Sequence, residues 1–388
     1  MMKVYEDWFD DDAEDFDVRI DEYEISSSPN DFNVSTIFSF IKSGAVKIPG
    51  FQRHFVWDIK RSSKLIESLL LGLPVPQVFL YEEAKNSFLV IDGQQRLMSI
   101  YYFVKQRFPR PEKRAELRAI FDAESGDIPD EVLQDDRYFV PFNLKLPAPI
   151  PGPKSRFDGL NYSTLGEFKV AFDLRTVRNI IVKQTSSEED DSAVFEIFNR
   201  LNSGGVNLTP QEIRASLYHS SFYEVLQRIN NKPAWRHIVG REDADIHMKD
   251  VEILLRSFAM LVMSDKYAPS MTKFLNIFSR KCRGLDSSQV TYLERLMDEF
   301  GKVAAKLPAR AFYNQGNSRF NISLFESIFV AACGSAFKER NLEVKQFAVE
   351  HLASLKSDVN FTGASSEGTS KSENVATRIG IARALLGG

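Results

Sequence analysis

The chain has 388 residues, 43% hydrophobic and 26% charged, with a formal net charge of −4. That length supports two or three domains with real cores, and the near-neutral balance excludes a uniformly basic nucleic-acid coat, though not a local basic cleft. The two cysteines, Cys282 and Cys333, lie far apart and supply neither a disulfide framework nor a metal-ligand cluster, which fits a reducing cytoplasm.

The opening segment, MMKVYEDWFDDDAEDFD, is acidic and aromatic and lacks the basic-then-apolar order of a signal peptide. No apolar run approaches the roughly 20 residues that a membrane-spanning helix requires, so a soluble, cytoplasmic protein is expected. Residues 1–30 read as an acidic arm. SSSPNDFNVSTIFSFIKSG reads as a short helix, with Ser35 accepting at its start, Ile37, Phe40 and Ile41 on one face, and Gly44 at its end. VKIPGFQRHFVW is extended and broken by Pro49-Gly50. Asp58 suits the N-cap of IKRSSKLIESLLLG, whose Leu65, Ile66, Leu69 and Leu70 form a stripe and which Gly72 and Pro74 stop.

QVFLYEE and SFLVI flank a polar turn at Lys85-Asn86-Ser87 and predict a β-hairpin. After DGQQR, the 3.6-residue periodicity of RLMSIYYFVKQRF predicts a helix. RFPRPEKRAELRAIFDAESGD mixes cations with acids and reads as a solvated helix face. LKLPAPIPGPKSRFDG reads as a loop or lid, and NIIVKQT as a further buried strand. From Ser192 onward the pattern is almost wholly helical, ending with NVATRIGIARALL after the Ser/Thr/Gly stretch FTGASSEGTSKSEN. The expected class is therefore α+β, with a mixed β/α domain over 31–190, a loop insertion around 107–165, and a helical domain over 191–388.

Three stretches carry candidate chemistry. The first is Asp92-Gly93-Gln94-Gln95-Arg96, at a strand-to-helix junction. Glycine there permits a tight turn and close approach of a ligand, and the first helical turn presents N–H groups and the positive end of the dipole to an anion. Arg96 adds a forked cation suited to phosphate oxygens, while Asp92 suits a metal ion or a water. It is not a Walker loop, since no Gly-Lys-Ser/Thr follows. The bland alternative is an N-cap aspartate with surface amides. The second stretch is PGFQRHFVW, where Gln52 and Arg53 provide a further fork-shaped donor near the first. The third is FNRLNSGGVNLTPQE. Thr209 with Glu212 makes a capping box and Pro210 suits the first helical position, whereas Asn199, Arg200 and Asn202 exceed what a helix stop demands. G-x-S-x-G, H-E-x-x-H and paired C-x-x-C signatures are missing.

Taken in order, IPGFQRHFVW, LIESLLLGLPVPQVFL, FLVIDGQQRLMSI and VFEIFNRLNSGGVNLTPQEIRASLY resemble the N-terminal domain family of the GmrSD type IV restriction endonucleases, across residues 33–220. The resemblance implies a core similar to the ParB/sulfiredoxin fold, with nucleotide bound at the strand–glycine–helix junction. It further implies nucleoside-triphosphate hydrolysis with Mg2+ in defence against phage carrying modified DNA. Carried over, Asp92, Gln95 and Arg96 become catalytic, with Asp92 on the metal or the attacking water and Gln95 orienting that water. Gly93 and Gln94 join them in the nucleotide site, with Gln52 and Arg53 as companions and Asn199, Arg200 and Asn202 closing it. Many members continue into a His-Asn-His nuclease domain, for which no pattern is found in the C-terminal half. A sensor or regulatory half working with a partner nuclease is therefore expected, with DNA as a further partner and a homo-oligomer compatible. The rival expectations are a non-hydrolysing DNA- or partner-binding subunit, a scaffolding partner with a vestigial motif, and a ParB-like DNA-nicking nuclease.

Overall fold

The computed structural model describes residues 25–47, 55–114, 116–117, 120, 128–148, 152–184, 192–201, 209–245, 247–314, 319–366 and 368–387, with backbone alone at 192, 193 and 199. The chain divides into two compact units, one over Glu22–Leu208 and one built on Thr209–Gly388. An α+β class is what they show.

The first unit is organised on a five-stranded mixed sheet. Its strands are β1 (Ile25–Asn33), β2 (Val46–Lys47), β3 (Val78–Ala84), β4 (Ser87–Asp92) and β7 (Thr176–Gln184), in the order β1-β7-β3-β4-β2. The β3–β4 hairpin turns through Asn86, an asparagine in the left-handed region at φ 61°. Two short strands, β5 (Arg107–Pro109) and β6 (Phe139–Pro141), pair separately. Helices α1 (Val34–Lys42), α2 (Ile59–Leu71) and α3 (Gln94–Val104) complete the part that positions the site. Ile66 and Leu69 of α2, Val78 and Leu80 of β3, Val90 of β4, and Leu97, Ile100 and Phe103 of α3 meet in one buried cluster. Each such side chain contributes roughly 1.5–3 kcal/mol relative to exposure.

The local signals for α2 act as expected. Asp58 accepts the Arg61 N–H at 2.7 Å, and Gly72 ends the helix at φ 77°. The start of α1 differs from expectation. Ser26 to Asn33 belong to strand β1 rather than to a helix, and the cap is Asn33, whose Oδ1 accepts the Thr36 N–H at 2.8 Å. Ser35 instead donates its hydroxyl to that same oxygen. A polar sequence becomes strand here because β7 pairs with it along its whole length, from Ile25 opposite Gln184 to Asn33 opposite Thr176. Partner hydrogen bonds, not side-chain pattern, decide such an edge strand.

The proline- and glycine-rich stretch from Leu144 is also corrected. It is irregular, yet Leu144, Leu146 and Phe157 are buried in the core of the unit, so the described part is no lid. Its backbone is satisfied locally: Leu144 N donates to Leu160 O, Gly159 N to Leu144 O, and Leu146 N to the Asp158 carboxylate. Irregular chain can be buried when every such group finds a partner. The charged segment after α3 likewise includes β5, with Phe108 buried, rather than only a solvated helix face.

The second unit is helical. Thr209 and Glu212 form the expected capping box at the start of Pro210–Leu217, with Pro210 in the first turn. Helix Lys249–Met263 packs on Ile322–Glu339, which packs on Ser372–Leu385, the last of these longer than NVATRIGIARALL suggested. Phe258, Phe300, Phe325 and Phe329 pack edge-to-face or stacked between them. Cys282 and Cys333 are buried free thiols.

Candidate functional site

The site is the junction between β4 and α3. β4 ends at Asp92 opposite Phe79, next to an irregularity in the β3 register between Phe79 and Leu80. Gly93 then turns the chain into α3 with φ 101° and ψ 6°. A Cβ at this position would lie 2.8 Å from Cγ2 of Val78 and 3.2 Å from a guanidinium nitrogen of Arg96. Both the left-handed backbone and the missing side chain are therefore required. Since the N-cap residue has no side chain, α3 lacks the side-chain cap that Asn33 and Asp58 give to α1 and α2.

Arg96 turns back over this bend. Its Nη2 donates to Asp92 Oδ2 at 2.8 Å and to the Gln77 carbonyl at 3.0 Å. The Arg96 side chain is largely buried, 16% exposed, while that of Asp92 is 41% exposed. Arg96 Nε is buried with no hydrogen-bond partner among the described residues. The pair thus fixes a guanidinium beneath the glycine bend and leaves a carboxylate at the surface.

Gln95 is used differently from the expectation that it would orient a water. Its Oε1 accepts the N–H groups of Val56 at 2.9 Å and Trp57 at 3.2 Å. The opposite backbone groups of the same two residues are held by Arg114, whose Nη1 donates to Val56 O at 3.3 Å and Nη2 to Trp57 O at 2.8 Å. Phe55 adds a buried ring packed edge-on against Tyr102 and Phe108, and Arg61 lies 4.6 Å from the Trp57 ring centre. Burial pushes the Arg114 guanidinium below its usual range, and Tyr102 and Asp58 act against that shift. Beneath the segment, Ser99 Oγ donates to Gln95 O at 2.7 Å and meets Ser62 Oγ of α2 at 3.1 Å. A short strap, Val56–Trp57, is thereby held at its N–H groups by Gln95, in the first turn of α3, and at its carbonyls by Arg114, which lies beyond β5.

Asp92, Gly93, Gln95 and Arg96 are thus brought together, and Gln94 opens α3 beside them. Gln52 and Arg53 lie outside the described residues, as does Asn202. Asn199 is in helix Ser192–Leu201, which packs against β4, but its side chain lies outside the description. Arg200, on the same helix, is exposed and pairs with Glu196 at 2.5 Å. Among the described residues no three His, Cys, Asp or Glu side chains are grouped to hold a metal ion. A single carboxylate shared with an arginine does not build a protein-ligated metal site.

Arg114, Gln77, Val78 and the Ser62–Ser99 pair are the participants that sequence reasoning missed. Arg114 sits in an alternating charge run, where nothing local separates a clamp from a solvated cation. The serines follow the helical spacing of their own helices but give no sign of each other.

Residues 34–219, just under half of the chain, match the family model described as the GmrSD restriction endonuclease, N-terminal domain. Comparison with curated proteins returns no match. Among the described residues, no helix is long and apolar enough to cross a membrane.

Proposed function

We propose, from the match of residues 34–219 to the family model described as the GmrSD restriction endonuclease, N-terminal domain, that the chain is a component of an anti-phage restriction system acting on DNA. Within it, the β4–α3 junction is a nucleotide site, and the protein is a sensor or regulator that hydrolyses a nucleoside triphosphate and works with a partner nuclease. One observation carries this reading: a glycine that tolerates no side chain opens a helix without a side-chain cap, directly over a largely buried arginine side chain. Amide hydrogens, helix dipole and guanidinium then converge on one polyanion.

The roles of the chain's own groups follow. Gly93 and Gln94 offer backbone N–H groups to phosphate oxygens. Arg96, already aligned by the Gln77 carbonyl, exchanges its bond to Asp92 for one to phosphate. The released Asp92 carboxylate then faces the attacking water. Arg53 and Gln52, which precede the clamped Phe55 in sequence, supply further donors, and Asn199, Arg200 and Asn202 close the site. Gln95 positions the strap that leads to them. Asp92 would be the one protein contact of a Mg2+ ion carried by the triphosphate, and that ion would supply positive charge against the charge that develops on phosphoryl transfer.

A second reading has its own support: Gln95 is committed to the strap and Asp92 to Arg96, so the nucleotide binds without hydrolysis and only stabilises a closed form. Phosphate release from purified protein with Mg2+ and each nucleoside triphosphate separates the two. Steady release that Asp92→Asn abolishes supports hydrolysis. Release that is absent, or unchanged in Asp92→Asn, refutes it.

A further inference from the structure

The helical unit contains a concavity of about 500 Å³, bounded by the ends of helices Lys249–Met263, Met271–Cys282 and Ile322–Glu339 and by the start of Ser287–Ala304. That volume lies within the roughly 300–1,000 Å³ typical of small-molecule sites. Its floor is apolar, built from Met263, Phe278, Leu293 and Phe337. Tyr292 contributes a ring rather than a donor, because its hydroxyl already donates to the carbonyls of Ala336 and Asn341 at 2.8 and 2.9 Å.

The charged side chains in the lining are of one sign. Lys266, Lys281 and Arg340 line it, and no Asp or Glu does. All three cations are exposed, and their side chains make no ion pair among the described residues. The neighbouring Asp286, whose Oδ1 accepts the Ser288 and Gln289 N–H groups and the Ser288 hydroxyl as a helix cap, acts on Arg340 at longer range but forms no ion pair with it. Cations at helix C-termini are favoured by the dipole alone, which accounts for their presence. It does not account for their convergence on an apolar hollow large enough for a ligand.

We propose that this concavity is a binding site for a small amphipathic organic anion, an apolar body carrying a single acidic head. The body fills the Met263–Phe278–Leu293–Phe337 floor, and the head lies among Lys266, Lys281 and Arg340. Cys282, also in the lining, stays a neutral thiol because burial pushes its pKa up, so capture is non-covalent. The site is independent of the β4–α3 junction, and neither proposal rests on the other.

The test is titration of the full-length chain with the fluorescent anion 8-anilinonaphthalene-1-sulfonate, followed by displacement with decanoate, 1-naphthoate and uncharged decan-1-ol. Saturable binding is expected, displaced at least tenfold more effectively by one of the carboxylates than by the alcohol. Which carboxylate prevails tells whether the body is aliphatic or aromatic. Lys281→Gln/Arg340→Gln should weaken binding at least tenfold while leaving the circular-dichroism melting curve unchanged. Lys266→Gln, at another exposed and unpaired position, gives the same readout should the double variant melt early. Non-saturable binding, equal displacement by decan-1-ol, or affinity unchanged in the folded variants would overturn the proposal.

Discussion

Gly93 shows how one residue can be fixed by two independent constraints. Its φ of 101° costs any other residue backbone strain, and a Cβ would press on Val78, which is 1% exposed and cannot withdraw. Gly93→Ala should therefore destabilise the first unit by roughly 2–4 kcal/mol, the sum of a left-handed conformation and an overpacked contact. Adding Val78→Ala to that variant should recover the packing part relative to Val78→Ala alone, but not the backbone part. Chemical denaturation reads both, and a Gly93→Ala change within 0.5 kcal/mol of wild type, on the order of an ordinary surface substitution, contradicts this view. The glycine was readable from its place between an apolar run and a helical pattern. The partners of its neighbours were not: Gln95 looked like a water-positioning amide, whereas its oxygen is occupied by two backbone N–H groups from a segment 38 and 39 residues earlier. Gln95→Met leaves those donors without their partner, at a cost of about 1–3 kcal/mol. Native-state hydrogen exchange at Val56 and Trp57 should speed up correspondingly, and unaltered protection there would show that the clamp is not needed.

At the scale of elements, what could be read in advance was what local chemistry decides. Asp58 caps α2, Gly72 stops it, Thr209 and Glu212 close a capping box, and the hairpin turns at Asn86, all within a few residues of the signal. Asp58→Ala should accordingly lower stability by about 1 kcal/mol in denaturant melts, a loss that Asp58→Ser largely restores. Elements decided by distant partners were hidden. β1 is polar and contains Pro29, and only the pairing with β7 makes it a strand. The stretch around Leu144–Leu146 looked like a surface loop because prolines dominate it, yet Lys145 N donates to Ser63 Oγ of α2 at 2.9 Å and its leucines enter the core. The same limit applies to the candidate site. The β4–α3 bend is local and was found; the Arg114 grip on the strap joins segments 57 and 58 residues apart and was not.

At the scale of the molecule, the helical unit encloses charge as well as apolar surface. Arg214 and Glu252 are both buried and lie 3.5 Å apart, with Gln211 and Asn276 also bonded to the arginine. Burial alone would raise the Glu252 pKa, but Lys249, Arg214 and Arg256 outweigh it and hold the carboxyl below its usual 4.5. A carboxyl whose folded-state pKa is depressed contributes stability above its unfolded value. That contribution is lost as pH falls through the folded value. Glu294, held low by Arg228 and Lys232 against some desolvation, acts in the same direction. Resistance to denaturant should thus be steady at neutral pH and decline from about pH 4.5 downward. Glu252→Gln should be less stable than wild type at pH 7, yet lose less between pH 6 and pH 3.5. An equal or steeper loss in the variant would remove Glu252 from the explanation.

The measurement that bears most directly on the proposed function is calorimetric titration of each nucleoside triphosphate, with Mg2+, into the wild-type chain and into Arg96→Ala and Asp92→Asn. If the glycine bend and its arginine receive phosphate, the wild type binds at least one triphosphate and Arg96→Ala weakens that binding tenfold or more. Asp92→Asn, which frees the guanidinium, retains it. Equal affinity in wild type and in a folded Arg96→Ala, or no binding of any triphosphate to the wild type, would contradict the account.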